Sequence, residues 1–71
     1  MSAQLDLVGV PEIAERLGVS RRTVITWNYR RRLPLRPPWQ PFPEPLKTIS
    51  GRPAWDWADV ETWARLTGRL R

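Results

Sequence analysis

Residues 10–24, Val10-Pro-Glu-Ile-Ala-Glu-Arg-Leu-Gly-Val-Ser-Arg-Arg-Thr-Val24, decide the fold of this chain. Val10, Ile13, Ala14 and Leu17 fall at i, i+3, i+4 and i+7, the single apolar stripe of an amphipathic helix. Pro11 fits the first helical turn, where its missing N–H costs nothing. Gly18 follows where a helix ends in the left-handed conformation. Val19 then supplies an apolar residue, and Ser20 an N-cap whose Oγ can accept from the backbone N–H of residue 22 or 23. A second helix is expected from Arg21 to about Arg31, with Val24 and Trp27 facing inward. Leu33-Pro34 ends it, because a residue before proline avoids helical geometry. The pattern predicts a helix-turn-helix unit over about residues 10–32.

Downstream, residues 33–45 hold six of the eight prolines, Pro34, Pro37, Pro38, Pro41, Pro43 and Pro45, so an extended, partly polyproline-like connection is expected there. Leu46–Ile49 and Ala54–Trp57 read as two short strands around Ser50-Gly51-Arg52-Pro53, a hairpin or wing over 46–57. Asp56 is placed as an N-cap with Asp59 three residues on, resembling a capping box. The last helix, 57–68, is expected to bury Val60, Trp63 and Leu66 and to close at Gly68. No internal repeat is present. The fold class expected is α+β, mostly α, in one domain spanning 1–71: a small winged helix-turn-helix with two helices, a short β-hairpin wing and a C-terminal helix. Its expected core is Val10, Ile13, Leu17, Val24, Trp27, Leu46, Trp55, Val60, Trp63 and Leu66, with large indoles compensating for few residues.

Composition narrows the function. Seventy-one residues allow one small core, too small for an enclosed active site of ordinary volume. The chain has no Cys and no His, which removes disulfides, thiolate and histidine metal sites and the commonest general base, and suits a reducing cytoplasm. Ser2, Ser20 and Ser50 have no base partner, and capping accounts for Asp56 and Asp59 better than metal binding or acid–base catalysis does. An enzyme is not expected, nor a cofactor or a small-molecule ligand. No apolar run approaches membrane-spanning length, and residues 1–10 lack the basic start and apolar follow-on of a signal peptide. The net charge is +5, and residues 16–52 carry all of the excess, with nine Arg or Lys against a single acid, Glu44. Such a basic stretch containing Trp27, Tyr29, Trp39 and Phe42 points to double-stranded DNA rather than to a disordered basic tail.

With Val24 and Trp27 inward, about 100° per residue turns Arg22, Thr26 and Tyr29 outward, flanked by Thr23 and Arg30. Arg22 is suited to a guanine edge, and Thr23 or Thr26 to a thymine methyl or a phosphate. Arg21 suits a phosphate. Arg30, Arg31 and Arg32, at the far end of the helix, suit backbone contacts that position without reading sequence. Arg52 at the hairpin tip is expected in a neighbouring minor groove, with Lys47 near phosphates. The plainer alternatives are an αα-hairpin with a solvated basic face and a solvated hairpin tip. Charge and turn chemistry coinciding on one motif favour DNA. Trp57 is expected to be partly exposed. Trp39 either pins the long loop to the body or offers a protein-contact surface.

Three segments carry a resemblance to a known family. They are Val10–Val24, Phe42-Pro-Glu-Pro45, and Trp55-Asp-Trp-Ala-Asp-Val-Glu-Thr-Trp63, together spanning most of residues 10–66. The chain resembles the excisionase and AlpA-like branch of the MerR-type winged-helix proteins. The first segment is shared by many helix-turn-helix families; the combination of the other two is far more specific. The resemblance implies a second helix in the major groove, carried onto Arg21, Arg22, Thr23 and Thr26, and a wing in the minor groove, carried onto Arg52. The Pro34–Pro41 loop is longer than the family pattern. The coiled coil and effector domain of full MerR regulators are missing. The resemblance thus implies a phage-type excisionase, a recombination directionality factor without catalysis of its own. Such a protein bends attachment-site DNA, biases a partner integrase toward excision, and self-associates cooperatively on adjacent sites. An AlpA-like regulator bound to a promoter is the alternative, and a protein adaptor using the Trp39 segment is a third reading.

Overall fold

The first helix, α1 (Val10–Leu17), starts from an extended Gly9, whose N–H donates to the Glu12 Oε1 at 2.8 Å. This computed structural model describes residues 5–33 and 40–70. Gly18 closes α1 at φ 69°, ψ 33°; its N–H donates to the Glu15 carbonyl, while the Val19 N–H reaches back to Ala14. That pair of bonds is a Schellman motif, and it turns the chain sharply into the next helix. Ser20 caps α2 (Arg21–Arg30), its Oγ accepting from the Thr23 N–H at 3.1 Å. Both helix boundaries therefore follow the expectation from sequence.

Leu7–Val8 forms a short strand, β1, ahead of α1. A hairpin follows, β2 (Lys47–Ile49) and β3 (Arg52–Asp56), and α3 (Trp57–Leu66) runs directly out of β3. The antiparallel sheet has the order β1-β3-β2, with Val8 opposite Trp55 and Ile49 opposite Arg52. Ser50 and Gly51, at φ 51° and 77°, make a two-residue turn with both residues left-handed, the geometry that matches strand twist. The turn is thus tighter than the four residues expected, and Arg52 opens β3 rather than standing at the tip. Pro53 is tolerated in β3 because β1 pairs only with Trp55 and Asp56, leaving Pro53 a strand partner on one side.

Asp56 caps α3 through Ala58 N–H at 3.1 Å, without a reciprocal bond from Asp59. A second pair of bonds, Gly68 N–H to Arg65 and Arg69 N–H to Ala64, closes this helix with Gly68 at φ 75°. The Leu70 side chain then folds back onto the core.

The core gathers Val8, Ile13, Ala14, Val24, Phe42, Trp55, Val60, Trp63 and Ala64, with Val10, Leu17 and Trp27 packed around it. Phe42 is its hub, with ring centroids 4.9 Å from Trp63, 5.4 Å from Trp55 and 5.9 Å from Trp27. Two indole N–H groups bind the segment that carries Phe42: Trp55 to the Pro43 carbonyl at 2.8 Å and Trp63 to the Gln40 carbonyl at 3.0 Å. Buried indoles do hold the proline-rich connection, through Trp55 and Trp63. Trp39 and the prolines from 34 to 38 lie outside the described residues.

Two expected core residues are corrected. Leu66 is 69% exposed, because six residues of helix turn it about 120° away from Val60, whereas Ala64 stays on the buried face. Leu46 is 51% exposed, because it leads into the edge strand β2, whose three residues are likewise all exposed. Among the described residues, no helix is long and apolar enough to cross a membrane.

Candidate nucleic-acid interface

The face of α2 turned from Val24 carries Arg22, Ile25, Tyr29 and Arg30, all exposed, with Thr26 half-buried between them, while Arg21, also exposed, stands in the first turn about 60° from Val24. Thr23 is tied into the cap, its Oγ1 lying 2.9 Å from Ser20 Oγ and its N–H bound to the same oxygen. Capping thereby fixes the first turn of α2, where Arg21 and Arg22 project. Arg32 lies exposed one turn beyond the other end, where Arg32 and Leu33 N–H groups tighten the chain by bonding Tyr29 and Arg30.

Arg31 departs from the expectation that it joins this face. Seven residues, almost two full turns, separate it from Val24, so it returns to the inward side. There its Nε donates to Asn28 Oδ1 at 2.7 Å and its guanidinium stands 3.9 Å from Glu44, with 14% of its side chain exposed. The helical repeat already contained this signal. The same repeat puts Ile25, 56% exposed, on the basic face, where the expectation from sequence did not place it.

On the hairpin, Lys47 pairs with Ala54 and Ile49 with Arg52, and residues opposite one another share a face of the sheet. Lys47, Ile49 and Arg52 therefore project from one side, with both cations exposed. Among the described residues, none of Arg21, Arg22, Arg30, Arg32, Lys47 and Arg52 is paired with a carboxylate. Arg16 and Arg65 are paired instead, to Asp6 at 2.7 Å and to Glu61 at 3.1 Å. Arg16 also sits 5.0 Å from the ring centre of Trp57, which is half-buried. The Arg16 hydrogen bond, with the attraction of its charge, holds the Asp6 carboxyl below its usual range against an opposing desolvation effect.

Fixed cations with free guanidinium edges, on the outer side of a rigid helix and on a hairpin, can accept phosphates and base edges. Among the described residues, no group of three or more acids is placed to hold a metal. Comparison of the chain with family models, with curated proteins and with solved structures gives no match.

Proposed function

We propose that this chain is a winged helix-turn-helix protein that reads double-stranded DNA and acts as an excisionase-type architectural factor. The observation that carries the reading is the outer face of α2, where exposed Arg22 stands with Thr26, Tyr29 and Arg30, and exposed Arg21 in the first turn, without carboxylate partners among the described residues. In this reading α1 and α2 are the helix-turn-helix, α2 enters the major groove, and Arg22 reads a base edge. The β2–β3 hairpin is the wing, with Arg52 in the adjacent minor groove and Lys47 on phosphates.

The narrower excisionase assignment rests on the resemblance through Phe42–Pro45 and Trp55–Trp63. A domain this small makes few phosphate contacts, so single-site affinity is modest and salt-sensitive. Copies bound side by side would gain avidity and share the cost of bending, leaving an integrase as the partner that performs strand exchange.

The experiment is selection of binding duplexes from a random pool, followed by a search of the neighbouring genes for an integrase and, with that integrase, footprinting and a recombination assay on its attachment sites. Tandem protected sites, bent DNA and excision that depends on the chain are expected. Binding confined to a promoter, with transcription altered and excision unchanged, assigns the AlpA-like regulatory role instead. Failure to select any duplex overturns the DNA reading itself.

A further inference from the structure

Beside the C-terminal end of α2 lies a cleft of about 250 Å³. Trp27, Phe42 and Trp63 give it apolar walls, and Arg30, Arg31 and Arg69 line it with them. The Arg69 guanidinium sits 4.8 Å from the ring centre of Trp63 and 5.2 Å from that of Trp27. Its backbone is fixed there by the N–H bond to Ala64 that closes α3. A guanidinium placed over rings keeps its N–H edge available for a carboxylate. Among the described residues, neither Arg69 nor Arg30 pairs with an acid, whereas Arg31 is already engaged by Asn28 and Glu44.

We propose that this cleft docks an acidic peptide segment of a partner protein. A large apolar side chain of the peptide enters against Trp27, Phe42 and Trp63, and a neighbouring carboxylate is taken by Arg69. Two observations favour peptide over nucleic acid. At about 100° per residue, Trp27 and Arg31 leave α2 on the side of Val24, away from Arg22, so of the α2 residues lining the cleft only Arg30 belongs to the face assigned to DNA. The cleft is also mostly apolar, and a phosphodiester has no apolar group to fill it. The proposal does not depend on the DNA reading.

The test is display of random 12-residue peptides against the full chain, with synthesis of the enriched peptides and titration by intrinsic tryptophan fluorescence. Enriched peptides should combine acids with one aromatic or large aliphatic residue. Arg69→Glu should weaken them roughly tenfold or more, as expected for loss of a charge-assisted bond, and Arg69→Lys should weaken them less. Arg22→Ala should leave them unchanged, and so should a saturating DNA duplex. Circular dichroism of each variant separates lost binding from lost folding, and Arg69→Ala, which removes the charge without reversing it, gives a second reading. Competition by the duplex would assign the cleft to nucleic acid and overturn the proposal. Peptides that bind only after residues 34–38 are deleted would show that the chain covers its own cleft, which would overturn it equally. Enrichment without acids, or indifference to both Arg69→Glu and Arg69→Ala, would also overturn it.

Discussion

The indole N–H of Trp63, in α3, donates to the backbone carbonyl of Gln40, 23 residues upstream, at 3.0 Å. With the Trp55 bond to Pro43, it anchors a proline-rich segment that has few N–H donors of its own and can form no ladder. Phe42 is thereby delivered to the centre of the core. Trp63→Phe keeps most of the ring contact but leaves the Gln40 carbonyl without its donor. It should destabilise the fold by about 1–2 kcal/mol. Phe42→Ala, which empties the hub, should cost about 3–5 kcal/mol. Urea unfolding of the two variants checks the order; an unchanged stability of Trp63→Phe would contradict the anchoring role of the indole.

Gly18 holds φ 69°, and a Cβ added there would meet nothing within 4 Å. The cost of Gly18→Ala is therefore conformational, about 1–2 kcal/mol, without a steric part. Ser20→Ala, which removes the cap of α2, should cost about 1 kcal/mol. Thermal unfolding should show both, and because both act on the same turn their sum need not equal the double variant.

The hairpin turn places Ser50 at φ 51° next to Gly51 at φ 77°. Asn is better suited than Ser to the first position of such a turn. Ser50→Asn should stabilise the chain by about 0.5 kcal/mol, whereas Gly51→Ala should destabilise it by about 1 kcal/mol. Midpoints from urea titration report both signs.

Asp6 is kept below its usual pKa of 3.8 mainly by the Arg16 hydrogen bond. Protons therefore bind the unfolded chain more readily than the folded one in that range. The stabilisation is complete above the unfolded value, and it is lost as pH falls past 3.8 toward the lowered folded value. Asp6→Asn should flatten this acid limb of the melting temperature and leave its slope near neutrality unchanged. An unaltered acid limb would remove Asp6 from the account.

For DNA, Arg22→Ala should cost about 1–3 kcal/mol on a selected duplex and relax preference at one base pair. Arg30→Ala, Arg32→Ala and Lys47→Ala should weaken all duplexes alike, each lowering the slope of log affinity against log salt by about 1. Arg65→Ala, whose side chain pairs with Glu61 on α3, serves as the control and should change neither quantity. Affinity measured at several salt concentrations separates the three classes.

Where bonds close within a few residues, the sequence by itself was sufficient. The stripe from Val10 to Leu17, the left-handed Gly18, the Ser20 cap and the start of α3 at Asp56 all depend on partners two to five positions away, so their signals are local. The outward direction of Arg22 followed from helical repeat alone. Other features depended on distant chain. β1 has only two residues, too few for any periodicity, and Val8 finds its partner at Trp55. Phe42 becomes the hub only because Trp55 and Trp63 bind the backbone on either side of it. Leu46 and Leu66 are as apolar as the residues that are buried, but no element covers them. Apolar character sets what a side chain gains when covered; which side chains are covered is decided by how few elements a chain of this size can bring together.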